Sequence, residues 1–244
     1  MLKRIHSITV AVLCLMLVSS FANAQRYGQT VEVSINGGYS TFGMSSLKDF
    51  QEDILSQMPV QGKVTSSFPG YLNYSFEVVF FDSTYFVGIM IGHTSTGGRI
   101  QYTDYSGSIT HDQFVKMNYS GFVAAKRIIT TKYGNVFLGS NVLAYKNKVD
   151  FKSNEIVLNQ ETTSTSQFES LNIALGAFFE IQKRIKKMIL KGNLGYEFHL
   201  ATPLYFNDPE NTIMTSSNEE VKVDASGLRF SLGVGYAIYT RTKK

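Results

Sequence analysis

The chain has 244 residues, a formal net charge of +4 and a single cysteine, Cys14. That length suits one domain behind a short leader, and a lone cysteine excludes a disulfide framework or a thiolate metal site. Without Lys3 and Arg4, 21 basic residues face 19 acidic ones, a balance that excludes the basic surface of a nucleic-acid binder.

Residues 1–24 read as an export signal. Lys3 and Arg4 make a positive start, Ile8 to Val18 an apolar run, and Ala22-Asn23-Ala24 a small-x-small cleavage site that leaves Gln25 as the mature N-terminus. The run is too short for a comfortable membrane helix. Cys14 lies inside it rather than after it, which is the wrong place for lipidation. Residues 25–244 are expected to form one domain.

Eight strands are expected, with ten as the alternative count. The first, residues 30–40, sets Val31, Val33, Ile35 and Tyr39 against Glu32, Ser34, Asn36 and Gly38. The segment 41–70 that follows carries a helix over 47–58, where Leu47, Phe50, Ile54, Leu55 and Met58 share one stripe. Ser46 and Asp49 resemble a capping box, and Pro59 stops the helix. This helix is expected on the barrel mouth, the alternatives being the membrane interface or a partner protein.

The second strand, 71–81, opposes Leu72, Tyr74, Phe76, Val78 and Phe80 to Asn73, Ser75 and Glu77, and Asp82-Ser83 makes a tight turn. The third, 85–94, opposes Tyr85, Val87, Ile89 and Ile91 to Gly88, Met90 and Gly92. The fourth, 112–128, opposes Val115, Met117, Tyr119 and Val123 to Lys116, Asn118 and Ser120. A turn at 131–134 leads to the fifth, 135–146, whose two faces do not separate.

The sixth, 167–182, has Leu171, Ile173, Leu175, Phe179 and Ile181 against Ser170, Asn172, Gly176 and Glu180. A basic turn at 183–187 joins the seventh, where Leu190, Leu194, Tyr196, Phe198 and Leu200 oppose Lys191, Asn193, Gly195, Glu197 and His199. In the eighth, Leu228, Phe230, Leu232, Val234, Tyr236 and Ile238 alternate with Arg229, Ser231, Gly233 and Gly235.

The connections alternate. Segments 41–70, 95–111, 147–167 and 201–226 are long, and those between are short turns. Short periplasmic turns and long outer loops belong to membrane barrels. A soluble barrel would also alternate, but these strands reach the roughly 9–11 residues needed to cross a bilayer. Their polar face is rich in glycine, which weakens a solvated strand but makes room inside a narrow barrel. The expectation is a transmembrane antiparallel up-and-down β-barrel, all-β, with a short helix in the first extracellular loop. Glu32, Glu77, Glu180 and Glu197 would share its interior with Lys116, Lys191 and Arg229. A barrel of about eight strands is filled by such side chains, so the core should be packed rather than an open channel.

Ser231, Gly233, Tyr236 and Ile238 resemble the β-signal that the barrel-assembly machinery reads in outer-membrane proteins, although Tyr239 to Lys244 extend past its usual end. The chain from 25 onward resembles the small outer-membrane barrels of Gram-negative bacteria, the OmpA/OmpX-like group with an outer membrane protein beta-barrel domain. The resemblance is architectural. It implies an outer-membrane location and contact with membrane lipids and lipopolysaccharide, and it carries no catalytic residues.

No phosphate loop, zinc motif or nucleophile elbow is present. No cofactor, metal or catalytic residues are assigned. The acidic residues Asp208, Glu210, Glu219, Glu220 and Asp224 lack a cation-binding spacing. His93 and Ser95 lie two apart on the lipid face and resemble the His-x-Ser pair of lipid A deacylases; Asp104 and Asp112 are the nearby acids. An interfacial histidine beside a loop serine is the plainer account. His199 is expected to be a hydrogen-bonded interior residue, and His111 a loop residue with no identified partner. The expected role is structural or interactive through the loops, with an unidentified envelope or extracellular protein as partner. The alternatives are a lipid A-modifying hydrolase at the outer rim and a narrow porin-like channel.

Overall fold

The alternating segments pair edge to edge into a closed ring. A computed structural model of the chain describes residues 30–82, 84–105, 107–158, 160–206 and 211–239. The expected export signal at 1–24 and the tail 240–244 lie outside the described residues, as do Asp208 and Glu210. In chain order the elements are β1 (Thr30–Ser40), α1 (Ser45–Gln57), β2 (Lys63–Ser67), β3 (Tyr71–Phe81), β4 (Tyr85–Thr103), β5 (Gly107–Thr130), β6 (Asn135–Val157), β7 (Gln160–Ile185), β8 (Met188–Leu200), β9 (Thr202–Pro203), β10 (Lys222–Val223) and β11 (Gly227–Tyr239).

Eight of these strands, β1, β3 to β8 and β11, run antiparallel to their neighbours. The ring closes where β1 meets β11, from Thr30 opposite Tyr239 to Ser40 opposite Arg229. Three short turns, the start of β1 and the end of β11 lie at one end; the long segments 41–70 and 201–226 and the tips of the two tall hairpins lie at the other. The chain is therefore an up-and-down membrane barrel. No described helix is long and apolar enough to cross a membrane; the strands do the crossing.

Six of the expected faces stand. Ile35, Leu72, Ile91, Leu175, Leu194 and Val234 point outward and are exposed, while Glu32, Asn36, Glu77, Glu180, Lys191 and Glu197 are buried inside. An apolar outside around a polar inside is the arrangement a bilayer demands. It places the protein in the outer membrane.

Two expectations fail, for one reason. The segments 95–111 and 147–167 are not loops but the arms of hairpins. β4 to β7 are 19, 24, 23 and 26 residues long, whereas β1 and β3 are 11, so half the wall stands beyond the bilayer. There the surroundings reverse. Water or headgroups lie outside, and an apolar cap lies inside. Val115 and Met117 are fully buried inward, while Lys116, Asn118 and Ser120 face out. The fourth expected strand was thus read inside out along this stretch, and Lys116 is not an interior charge. It bonds Asp150 on the outer wall at 2.9 Å. β6 crosses the same boundary, with Leu138 and Val142 outward below it and Leu143, Tyr145 and Val149 inward above it. That mixture is why its faces do not separate in the sequence.

The helix packs on the mouth, as expected. Met58 is extended, as the residue before Pro59 should be. The capping box does not form. Met44 is the N-cap, in the left-handed region at φ 50° with no side-chain cap, and the Ser46 hydroxyl accepts from Lys222 N instead. Val234 lies midway along β11 on the lipid face, so Val234→Arg should cost about 2–4 kcal/mol. Urea titration of folding into lipid vesicles measures this, and parent-like stability would mean that the strand faces the other way.

Candidate functional site

The barrel interior is built from paired charges stacked between two apolar plugs. At the periplasmic end Val79, Phe86, Val123, Ala125, Phe137 and Phe178 form a buried cluster, with Phe81 packed on it. Phe86 and Phe137 have ring centroids 5.4 Å apart. Beside them Glu32 accepts from Gln182 at 2.7 Å and pairs with Arg184. Further in, Lys191 pairs with Glu77 at 3.1 Å, and Asn36 donates to Ser75 at 3.2 Å. Asn36 reaches across because Gly233 opposite it has no Cβ; a methyl there would collide with the Asn36 amide oxygen.

Towards the mouth, Glu197 accepts from Arg229 at 2.9 Å and from the Tyr145 hydroxyl at 2.7 Å. His199 lies 3.7 Å from the same carboxylate and against the Tyr145 ring, an interior polar residue as expected. What remains open is a cavity of about 60 Å³, lined by Asn36, Glu77, Asn141, Glu180 and Arg229 among others. It has room for water and polar partners for it. Glu180 Oε1 and Asn141 Oδ1, buried with no protein hydrogen bond, face that space.

The mouth is sealed. Met44, Leu47, Phe68, Leu204, Val221 and Val223 form a cluster against the inward residues Val115, Met117, Leu143 and Val149. Arg229 ties this cap to the charged layer below, donating to the Thr41 and Ala225 carbonyls, each at 2.7 Å. Asp53 of α1 holds the last loop. It accepts from Ser216 N at 2.9 Å and from the Ser216 hydroxyl, and these bonds keep its carboxyl below the usual range.

On the outer wall, β2 continues the line of β3 but is offset from it by a break at 68–70, where Phe68 adopts φ 48° and turns inward. Outside this break lies a groove of about 720 Å³ that includes His93, Ser95, Arg99 and Asp112. The sequence pairing of His93 with Ser95 is therefore real as a shared face. It is not a relay. His93 Nδ1 hydrogen-bonds Asn118 Oδ1 at 2.8 Å, and its ring packs on Tyr74. The Asp112 carboxylate accepts two bonds from Arg99 rather than orienting the histidine. Asp104 is committed to its turn, accepting from Gly107 N and the Tyr102 hydroxyl.

His111, expected in a loop, sits in β5, opposite Ile100 of β4 and Ser153 of β6. Among the described residues no three His, Cys, Asp or Glu side chains gather as a metal site. Asp224 instead accepts from Ser226 N at 3.0 Å. The upper aromatic contacts and the buried glutamines Gln51 and Gln113 were missed in the sequence. Gln51 lies off the apolar stripe of the helix, Phe151 lies in a segment expected to be a loop, and Gln113 starts the fourth expected strand on the face assigned to lipid.

No family model matches the chain, and no curated protein matches it in sequence. Solved structures resemble it loosely. Ail, the attachment invasion locus protein of Yersinia pestis, solved with the heparin analogue sucrose octasulfate, is 17% identical over 85% of this chain and 99% of that one, with a TM-score of 0.38. The outer membrane protein OprG from Pseudomonas aeruginosa is 12% identical over 88% and 98%, with a TM-score of 0.43. The outer membrane protease OmpT from Escherichia coli is 10% identical over 86% and 97%, with a TM-score of 0.39. The class of this chain stands on its closed ring and lipid-facing belt.

Removing one partner of a buried ion pair strands the other. Glu77→Leu should cost about 3–5 kcal/mol. The double variant Glu77→Leu/Lys191→Leu should recover only part of that loss, because Lys191 also faces the buried Glu180, which is then left without a cation. Chemical denaturation of the refolded variants checks both.

Proposed function

We propose that this protein is a closed outer-membrane barrel with a structural or surface-interaction role, exerted by the wall and cap that stand beyond the bilayer. The observation that carries the reading is the seal. An apolar plug blocks each end of the barrel, and the layer between them is occupied by paired charges and a small cavity. Such an interior is a scaffold rather than a conduit. The purified protein in planar bilayers should show no large, steady conductance, and a stable open level would establish the channel reading instead.

In this reading the chain is exported on a leader cut after Ala24 and assembled by machinery that reads β11, and residues 25–244 form one barrel domain. Its nearest partners are outer-membrane lipids and lipopolysaccharide. Lys116, Lys146, Lys148 and Lys152 project from the outer wall just beyond the lipid belt. Asp150 and Glu169 partly neutralise them, so a net positive strip faces the level of anionic headgroups. The outer surface of the hairpins is then available to a protein partner.

The groove beside His93 and Ser95 favours a second reading, a lipid A hydrolase. A serine nucleophile needs a base held by a third group, and here Arg99 takes the acid. His93→Ala and Ser95→Ala should each leave lipid A acylation unchanged by mass spectrometry of whole-cell extracts. Loss of a deacylated species in either variant would reinstate the enzyme.

A further inference from the structure

Between α1 and the inner face of the tall hairpins lies a cleft of about 250 Å³ that opens to the cell exterior. Phe50, Ile54, Phe151, Phe168 and Ile213 contribute its apolar walls. Three of the rings make a continuous edge-to-face surface: Phe50 lies 5.6 Å from Phe151, and Phe151 lies 5.3 Å from Phe168. Ser153, Ser164 and Ser166 add hydroxyl groups and His111 an imidazole to the lining, while Asp112, held by Arg99, and Lys152 border it from strand positions that alternate with the inward ones.

The polar lining includes an anomaly. Gln113 is 1% exposed, yet neither its Nε2 nor its Oε1 has a hydrogen-bond partner. Gly98 lies directly opposite it on β4. Because Gly98 lacks a Cβ, Gln51 of α1 lies down on the sheet there. Gln51 donates to the Ser66 carbonyl at 3.2 Å, but its Oε1 is also unpartnered. Buried amides are normally satisfied on both sides. A pocket with an apolar body and a few convergent polar atoms is the usual form of a small-molecule site.

We propose that this cleft is a binding site for a small uncharged amphipathic molecule, with an aromatic or branched aliphatic body against Phe50, Phe151 and Phe168 and a head that donates and accepts one hydrogen bond each at Gln113. A primary amide fits this description. Gln113 offers one N–H side and one carbonyl, so a donor–acceptor head satisfies both at once. A carboxylate head, which only accepts, would place its charge against the Gln113 carbonyl oxygen and lose that bond. The inference is independent of whether the outer wall meets lipopolysaccharide.

The test uses the full-length protein in lipid nanodiscs, with benzamide as the probe and sodium benzoate as the charged control. Amide-selective NMR follows the Gln113 side-chain signals, and ligand-observed NMR follows retention. Benzamide should shift the Gln113 amide, and benzoate should bind about tenfold more weakly, the scale of one lost hydrogen bond. Gln113→Leu should weaken benzamide by a similar factor, while Ile213→Trp, which fills the cleft, should abolish its retention. Heat-modifiable gel mobility confirms that each variant folds. Equal retention by wild type and Ile213→Trp would mean partition into lipid and would overturn the site. Unchanged affinity in Gln113→Leu, or no shift of the Gln113 signals in wild type, would overturn it equally.

Discussion

Lipid offers the backbone no hydrogen bonds, so every strand that crosses it must be paired on both edges. The pairing of β1 with β11 meets that demand, and the rest of the structure depends on it. Once the ring is closed at eight strands, its interior is too narrow for bulk water and must be filled by side chains. Those side chains come from the face opposite the lipid belt. They are polar, and desolvated charges must find partners. Glu32 with Arg184, Glu77 with Lys191, and Glu197 with Arg229 are the outcome.

The same constraint explains where the outer wall changes character. Inside the bilayer the apolar residue belongs outside. Beyond it, the outside is wet, and the cap of α1, β2 and the last loop supplies an apolar interior. β5 and β6 keep one pairing register across this boundary while their chemistry inverts. Val123 and Ala125 already face inward near the periplasmic end because the lower plug is apolar too. A strand's apolar face therefore names its neighbour, and that neighbour is lipid, plug or cap according to height.

The cap is held by few polar contacts, and each has a defined place. Arg229 links it to the charged layer, Ser46 receives the chain entering β10, and Asp53 fixes the loop at Ser216. These contacts leave the cleft above Gln113 open while the mouth below is shut. Exterior access and a sealed interior coexist because α1 lies across the mouth rather than down the lumen.

Period-two alternation with an invariant outside was enough to show the limits of β1 and β3 and the outward faces of β1, β3, β8 and β11, while the choice between eight and ten strands stayed open; a helical stripe placed the helix before Pro59. Those elements have lipid on one side along their whole length, so their chemistry is two-valued. The hairpin arms 95–111 and 147–167 were illegible because both of their faces mix polar and small residues, and pairing alone makes them strands. The orientation of Val115 to Tyr119 required knowing that a cap fills the mouth. His93 and Ser95 could be placed on one face from their spacing, but only the folded ring showed that Asn118 takes the histidine and Arg99 takes the acid. Alternation along a strand is local and written in the sequence. What fills each side of the sheet at a given height is set by segments far away in the chain, and only the tertiary structure decides it.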